Sequence, residues 1–309
     1  MKTVRPAKIA LLTLLVSAGA LACSSTTNNA VTPHRGLPAA VTTTAPARPT
    51  VAVDALVPVG DSGARMHVSC SGAGASTIVL ISGFGDAGES WGAVAPALAE
   101  HARVCSSARF GLGTSDAPPT DQTFATQAAA LHDALGASGE PGPYVVVGHS
   151  FGGPEAVSFA ARFADEVTGL VLVDASPADW PAALCGVPED GSAMAASFRD
   201  TCDSVTHADR NPERLDGLAA FAEVRGVRSL GDLPMAVLTR AVISYPGLAS
   251  SAEGELATAW LDGQARWAAL STAGTVTPVE DTGHVIQIDQ PAIVIDAVRS
   301  MPARHATTA

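Results

Sequence analysis

A serine flanked by glycines follows a short apolar run near the middle of the chain. The string GHSFGG, residues 148–153, comes directly after a predicted strand at 144–147 and directly before a run with helical spacing that begins at Pro154. At a strand-to-helix turn, Gly-x-Ser-x-Gly lets the backbone bend sharply and lifts the serine hydroxyl above a sheet. The amides that open the following helix face any negative charge that develops there. The pattern therefore predicts that Ser150 is a nucleophile.

A serine hydroxyl is a weak nucleophile until a base removes its proton. Where this turn is used, the chain order is nucleophile, acid, histidine, so the base is expected late in the chain. His284 ends the string DTGH just past the last predicted strand and fits this position. The other histidines fit less well, because they lie in the N-terminal region, in early elements, on or near helices, beside Ser150 or in the tail. We predict that His284 is the general base.

Acyl transfer also needs two donors for the oxyanion of the tetrahedral intermediate. One is expected from the backbone N–H of Phe151, the residue after the nucleophile. The other is expected from the loop that follows the predicted strand at 77–81 and reads SGFGD, residues 82–86. Its glycines allow close backbone approach, so Phe84 is the predicted second donor.

The elements that must position these residues alternate along the chain from about residue 51. Strands are predicted at 51–59, 65–70, 77–81, 103–106, 144–147, 169–173, 233–239 and 275–279. Helices are predicted at 91–102, 125–135, 154–163, 256–270 and 292–301. This alternation indicates a mostly parallel sheet. The proline-rich stretch 177–232 breaks the rhythm and predicts a cap inserted over the carboxyl edge of that sheet.

Together these strings resemble the α/β-hydrolase family. The segment ARFGLGTSD, residues 108–116, is similar to another family string, although Ser107-Ala108-Arg109 stands where Tyr-Asp-Arg is usual. The resemblance covers about 55–300. It implies a doubly wound, mostly parallel eight-stranded sheet in the order 1-2-4-3-5-6-7-8, with a small inserted cap at about 177–232.

The resemblance leaves two places for the acid that orients the histidine. Many relatives carry it after the strand that corresponds to 233–239, but here the string RAVISYPG, residues 240–247, follows without a carboxylate. Others carry it one strand earlier, where Asp174 ends a predicted strand and would stabilise a protonated His284. Asp is also common at such ends as a turn residue. Asp174 is the predicted acid, and the alternatives are Glu253, Glu255, Asp262 and Asp179.

The N-terminus has the pattern of a signal peptide. Basic residues precede a short apolar run at 9–21, and the string ALAC, residues 20–23, resembles a bacterial lipoprotein processing site. We expect a signal peptide at 1–23 with lipidation at Cys23; ordinary cleavage with release, or a cytoplasmic chain with a chance apolar start, is the alternative. Residues 24–50 are rich in Ser, Thr, Ala, Asn and Pro and predict a flexible tether. The folded domain is expected at 51–303, in a cell-envelope lipoprotein or a secreted protein.

Four cysteines follow Cys23 in the chain, and an even number in an exported chain favours two disulfides. The residues alone leave three pairings open. The sheet order implied by the resemblance makes the second and fourth strands neighbours, which favours Cys70–Cys105. Cys185 and Cys202 both fall in the implied cap and would pair there.

Composition narrows the class of partner. Hydrophobic residues make up 47% of the chain and charged residues 16%, which is typical of a globular protein. The net charge of −12 and the lack of a basic stripe argue against a nucleic-acid partner. No cofactor motif is visible, and the acidic residues near 189–190, 200 and 203 fit no metal-ligand pattern. We expect a small-molecule ester or amide as substrate, no cofactor and no metal, with membrane attachment only through Cys23.

The chemistry that these residues predict is cleavage of a carboxylic ester through an acyl-enzyme. Amide or peptide hydrolysis and other acyl transfer, including a cofactor-free haloperoxidase-like activity, use the same apparatus. An inert binding protein on the same fold is the alternative from another class, because a fold does not fix a function. Met194 and Phe198 in the predicted cap hint at an apolar acyl or alcohol group.

Overall fold

The computed structural model describes residues 51–302. The predicted signal peptide at 1–23, its lipidation site Cys23 and the predicted tether at 24–50 lie outside the described residues. Strands of the described part are β1 (Val53–Pro58), β2 (Arg65–Ser71), β3 (Thr77–Ile81), β4 (Arg103–Ala108), β5 (Tyr144–His149), β6 (Val167–Val173), β7 (Met235–Arg240) and β8 (Gly274–Val279). Its α-helices are α1 (Val94–Ala99), α2 (Phe124–Ala137), α3 (Gly152–Arg162), α4 (Trp180–Cys185), α5 (Ala193–Thr206), α6 (Gly217–Arg225), α7 (Ser250–Ala268), α8 (Ile286–Asp289) and α9 (Pro291–Arg299).

The eight strands form one sheet in the order β1-β2-β4-β3-β5-β6-β7-β8. Strand β2 runs antiparallel to both β1 and β4, and every other pairing is parallel. This confirms the doubly wound, mostly parallel sheet and the strand order implied by the resemblance. The carboxyl ends of β3, β5, β6, β7 and β8 therefore lie along one edge, where ligands bind in open sheets of this kind.

Helices cover the sheet on both faces, so its central strands are wholly buried. All residues of β3, β5 and β6 are buried, which explains why these strands read as continuous apolar runs rather than alternating ones. Successive residues of these strands nonetheless point to opposite faces of the sheet and so belong to two different hydrophobic cores. Val146 and Leu170 belong to the larger core, with α2, α3, α6 and α7, whereas Val147 and Val171 belong to the smaller one, with α1 and α9.

Element boundaries differ from the sequence prediction mainly at helix starts. The helix predicted from residue 91 begins at Val94, because Trp91 lies in a short 3-10 turn that ends before Gly92. Helix α3 begins at Gly152, two residues earlier than predicted, directly after the Ser150 turn. Helix α7 begins at Ser250, six residues earlier than the pattern indicated. In each case a glycine or a small residue with little periodic signal stands at the boundary.

Three helices, α4 to α6, are inserted between β6 and β7 and rest on the elements that carry Ser150 and Asp174. Phe221 of α6 meets the ring of Phe151 at a centroid distance of 5.3 Å. Trp180 of α4 meets Trp260 of α7 at 4.8 Å. These contacts place the insertion above the carboxyl edge of the sheet, beside the serine.

Both disulfides expected from the resemblance are present. Cys70–Cys105 joins β2 to β4, where the two residues are direct cross-strand partners. Cys185–Cys202 joins the end of α4 to α5 within the insertion. Disulfides are typical of proteins that fold in an oxidising compartment. Among residues 51–302, no helix combines the length and apolar character needed to cross a bilayer.

Candidate active site

The turn at Ser150 has the strained geometry that its glycines predict. Ser150 has a left-handed backbone with φ 52° and links β5 to α3. A Cβ atom at Gly152 would lie 2.4 Å from the carbonyl oxygen of Ile81, and one at Gly153 would lie 2.3 Å from the Cβ of Ala175. Side chains at these two positions would collide with neighbouring strand ends. Packing around the turn therefore requires glycine after the serine.

Ser150, His284 and Asp174 form one hydrogen-bonded chain. His284 Nε2 lies 2.9 Å from Ser150 Oγ, and its Nδ1 lies 2.7 Å from Asp174 Oδ2. A proton on Nδ1 donated to the carboxylate leaves Nε2 free to accept the proton of the serine hydroxyl. The structure thus brings together the three residues that the sequence predicted for nucleophile, base and acid, from the ends of β5, β8 and β6.

Asp174 is completely buried at the end of β6, where its φ of 41° turns the side chain toward His284. Its second oxygen, Oδ1, accepts hydrogen bonds from Trp260 Nε1 at 2.8 Å and from the Thr239 hydroxyl at 3.2 Å. Burial, the largest single influence, raises the pKa of Asp174. Hydrogen bonds from His284 and Trp260, together with electrostatic attraction to His284 and Arg240, hold that pKa below its ordinary value. The carboxylate is thereby kept ionised inside the protein.

The four alternative acids lie elsewhere. Glu253 Oε1 accepts from the Ser244 hydroxyl at 2.9 Å and from the Tyr245 amide at 2.7 Å. Asp179 lies within 4 Å of two surface arginines, and Glu255 and Asp262 are exposed on α7. In the described part of the chain, no hydrogen bond or ion pair joins any of these carboxylates to His284, and Asp174 is the one that does.

The glycine-rich loop after β3 lies directly against the nucleophile. A Cβ atom at Gly83 would lie 3.2 Å from the Cβ of Ser150. The next residue, Phe84, packs its ring on that of Phe151 with a centroid distance of 5.4 Å. The two residues predicted as oxyanion donors therefore flank Ser150 from two different segments of the chain.

A family model described as the alpha/beta hydrolase fold matches residues 76–199. Together with the strand order, this match shows that the chain has the α/β-hydrolase fold. Lipase LipV of Mycobacterium tuberculosis is 37% identical over 161 residues, which span 51% of this chain and 53% of that protein. A putative carbamate hydrolase, RutD of Escherichia coli, is 37% identical over 123 residues, or 38% of this chain and 43% of that protein.

Solved structures extend the likeness over the whole α/β-hydrolase domain. A thermophilic esterase from Thermogutta terrifontis superimposes with a TM-score of 0.59 at 21% identity, covering 80% of this chain and 97% of that one. At this identity the likeness shows the fold alone. Other curated relatives, uncharacterized proteins of Schizosaccharomyces pombe and Mycobacterium bovis, are matched over only 28% and 33% of their length.

Trp260 and Arg240 contact Asp174, the predicted acid, although the sequence did not single them out for that role. Trp260 is buried in the core, and its indole N–H donates to the Asp174 carboxylate. Arg240 occupies the end of β7, and its Nε lies 3.4 Å from Asp174 Oδ2. The sequence did offer one signal for Arg240: it stands after the strand where many relatives carry the acid. A cation at that place could have been predicted to pair with the carboxylate of Asp174.

His149, the residue before Ser150, contacts the backbone of His284, the predicted base. Its Nε2 lies 3.0 Å from the carbonyl oxygen of His284, and the two rings are 4.8 Å apart. Burial, followed by the charge of His284, lowers the pKa of His149 to about 4. His149 is therefore neutral at neutral pH, and facing a carbonyl it must donate its Nε2 proton. This bond fixes the backbone that carries His284.

Among residues 51–302, one cluster of three side chains has the chemistry of metal ligands: Cys70, Cys105 and Glu140. The two cysteines are bonded to each other, and Glu140 is paired with the buried guanidinium of Arg103. These groups are already committed to the fold and do not form a set of free ligands.

Proposed function

We propose that this protein is a serine hydrolase that cleaves carboxylic esters through an acyl-enzyme. The observation that carries the proposal is the continuous chain from Ser150 Oγ through the His284 ring to Asp174, with contacts of 2.9 Å and 2.7 Å. Nucleophile and base are already within hydrogen-bond reach, and the base is oriented by a buried carboxylate.

Each residue has a distinct part in the proposed reaction. Ser150 attacks the ester carbonyl while His284 takes its proton, and Asp174 stabilises the imidazolium that forms. The amides of Phe84 and Phe151 hold the oxyanion of the tetrahedral intermediate. His284 then protonates the leaving alcohol. In the second half, water attacks the acyl-enzyme with His284 again as base, which releases the acid and regenerates Ser150.

The surroundings favour an apolar group on the substrate. Phe84, Phe151 and Phe221 form a continuous aromatic cluster beside the serine. Arg240, a charged group beside the triad, is buried and paired with Asp174. It is not free to bind a charged substrate. Esters with an apolar acyl or alcohol group therefore suit this site better than charged esters.

Turnover of p-nitrophenyl esters from acetate to octanoate tests the proposal, with the purified wild type, Ser150→Ala and Asp174→Asn run together. We expect activity in the wild type, none in Ser150→Ala, and a loss of roughly 10³- to 10⁴-fold in Asp174→Asn, because the asparagine favours the wrong histidine tautomer. Full activity of Asp174→Asn would show that Asp174 is not the acid, and Glu253 and Asp262 would be substituted next.

Labelling with a fluorophosphonate probe separates a specialised enzyme from an inert binding protein. A working triad reacts at Ser150 and leaves Ser150→Ala unlabelled, even when no simple ester is turned over. A folded wild type that neither labels nor hydrolyses any ester would rule out the proposed activity and favour a binding protein.

A carbamate or amide is the second candidate substrate. One relative, RutD, is named as a putative carbamate hydrolase, and the same triad and oxyanion donors serve acyl transfer from nitrogen. Parallel assays with p-nitrophenyl esters and the matching p-nitroanilides distinguish the two. A higher kcat/KM on the anilide would reverse the preference proposed above.

For location, we propose that the chain is exported and anchored through a lipid on Cys23. Two disulfides in the folded domain support an oxidising compartment, and the basic and apolar N-terminal pattern supports export. Cell fractionation of wild type and Cys23→Ala tests this. The wild type is expected in the membrane fraction and the variant in the soluble fraction; equal distribution would exclude the anchor.

A further inference from the structure

The loop that carries Phe84 is held by one buried arginine. Arg109 follows β4 and is buried. Its Nη1 donates to the carbonyl oxygen of Ser82 at 2.7 Å, and its Nη2 donates to that of Gly83 at 2.5 Å. Arg109 therefore binds two successive carbonyls immediately before Phe84, and a guanidinium suits this task because its donors have a fixed planar geometry.

A glutamate from the insertion holds the same loop on the other side of Phe84. Glu213, buried in the segment between α5 and α6, accepts the backbone N–H of Gly85 through Oε1 at 2.7 Å. Its other oxygen, Oε2, accepts from Arg109 Nε at 2.6 Å. The buried Arg109–Glu213 pair thus forms hydrogen bonds with the loop both before and after Phe84.

These bonds fix both peptide planes that flank Phe84. A trans peptide is planar, and its C=O and N–H point in opposite directions. Because Arg109 binds the carbonyl of Gly83, the N–H of Phe84 must point away from the arginine. Glu213 fixes the next plane through the N–H of Gly85. The remaining torsions of Phe84 are then set from both sides, and the bound guanidinium also polarises the peptide so that its N–H is a stronger donor.

The backbone around Glu213 is itself tightly constrained. Asn211 donates side-chain hydrogen bonds to the carbonyls of Ser204, His207 and Leu215. The turn after Arg109 touches this segment directly, because a Cβ atom at Gly111 would lie 2.0 Å from the carbonyl oxygen of Pro212. Glu213 therefore reaches the loop from a fixed point and not from a free surface segment.

We infer that Arg109 and Glu213 are positioning residues that aim the Phe84 amide at the oxyanion. The inference rests on the proposed ester hydrolysis. It makes the segment inserted between β6 and β7 part of the machinery that stabilises the transition state, in addition to any role in covering the substrate. Neither residue touches the substrate, and both act through the loop at 82–85.

A buried ion pair could also serve the fold alone, and the chain offers a matched pair of that kind. Arg103 and Glu140 are both completely buried and hydrogen-bonded to each other. Arg103 also donates to the carbonyl oxygen of Gly72, and neither residue contacts the loop at 82–85. Glu140→Gln is therefore the control: it should destabilise the fold without changing the orientation of the Phe84 amide.

The test compares ester kinetics and inhibitor binding for wild type, Glu213→Gln and Glu140→Gln. We expect Glu213→Gln to lower kcat by about 10- to 100-fold while KM changes less than about threefold, because a misaimed amide weakens the transition state more than the ground state. The inhibition constant of a trifluoromethyl ketone, which forms a tetrahedral adduct, should weaken in parallel with kcat/KM. Glu140→Gln should lower Tm and leave kcat per folded molecule unchanged.

Two outcomes would overturn the inference: an unchanged kcat in Glu213→Gln, or equal losses of kcat in Glu213→Gln and Glu140→Gln. If Glu213→Gln does not fold, the triple variant Arg109→Met/Glu213→Leu/Glu155→Gln removes all the charges of this cluster, because Glu155 also lies 3.4 Å from Arg109. Buried ion pairs often tolerate such a change. Its kcat should remain low, and a wild-type kcat would also overturn the inference. A wild type with no turnover and no fluorophosphonate labelling would instead mean that the proposed function has failed.

Discussion

Arg240 Nε lies 3.4 Å from Asp174 Oδ2, the same carboxylate oxygen that His284 Nδ1 contacts at 2.7 Å. The two residues end the adjacent parallel strands β7 and β6, so their side chains meet at one edge of the sheet. The guanidinium also stacks over the ring of Trp260 at 5.0 Å. Asp174 is thus shared between His284, the predicted base, and a fixed cation.

Loss of the Arg240 guanidinium should destabilise the fold, because the buried carboxylate of Asp174 then keeps its desolvation cost but loses one attractive charge. We expect Arg240→Leu to lower the free energy of unfolding by about 1–3 kcal/mol at pH 7, measured by urea denaturation. Arg225→Leu is the matched control, since Arg225 pairs at 3.9 Å with the exposed Asp179 and surface pairs contribute about 0–1 kcal/mol. Equal effects of the two changes would contradict the prediction.

The indole N–H of Trp260 should contribute more to stability and to kcat than the packing of its ring does. Trp260→Phe keeps an aromatic ring in the core but removes the 2.8 Å hydrogen bond to Asp174, and a bond to a charged group is worth about 1.5–3 kcal/mol. We expect lower stability and about a tenfold lower kcat. Trp267→Phe is the control, because Trp267 Nε1 donates at 3.2 Å to the neutral carbonyl of Ser176. The prediction fails if both variants keep the wild-type kcat.

Glu155, in the first turn of α3, should make stability fall as the pH rises. Burial raises the pKa of its carboxyl from 4.5 to about 7, although Arg109, at 3.4 Å, opposes the shift. Between these values the folded state binds more protons than the unfolded state, so the free energy of unfolding decreases with rising pH. The stability lost across that interval is about 3 kcal/mol.

Glu155→Gln should abolish this part of the pH dependence. Urea denaturation at pH 5, 6.5 and 8 measures it, with the exposed Glu100→Gln as control. We expect the wild-type and Glu100→Gln curves to fall together while the Glu155→Gln curve stays above them at pH 8. Parallel curves for all three proteins would show that Glu155 ionises normally.

The disulfide within the insertion should stabilise the chain through loop closure. Cys185 and Cys202 are 17 residues apart in the chain, and Cys70 and Cys105 are 35 residues apart. The chain-entropy relation gives about 3 kcal/mol for the first and about 4 kcal/mol for the second. Thermal unfolding of Cys185→Ala/Cys202→Ala and Cys70→Ala/Cys105→Ala measures both. A gain in Tm for either double variant would contradict this account.

Local sequence pattern was enough to find the eight strands and most helices outside the insertion, whereas α4, α5 and α6 were expected only as a cap without bounds of their own. The turn at Ser150 could be read directly because strand, glycines and helix are consecutive in the chain. Asp174 was predicted through the resemblance, which offers the end of this strand as a place for the acid, and in the structure its Oδ2 contacts His284 Nδ1. Partners that join distant segments could not be found in this way. Glu213 and Gly85 are 128 residues apart, and nothing in the stretch around residue 213 signals that its carboxylate faces inward.

Strand β8, which leads to His284, is the edge strand of the sheet and pairs only with β7. Four of its six residues are exposed, whereas β5 and β6, which carry Ser150 and Asp174, are wholly buried. Partial opening at an edge requires less free energy than unfolding of the interior. The contact between base and nucleophile should therefore break before the sheet does. Mild heat or a low concentration of denaturant would then reversibly abolish the activity of the proposed enzyme, while the amides of the central strands remained protected from hydrogen exchange.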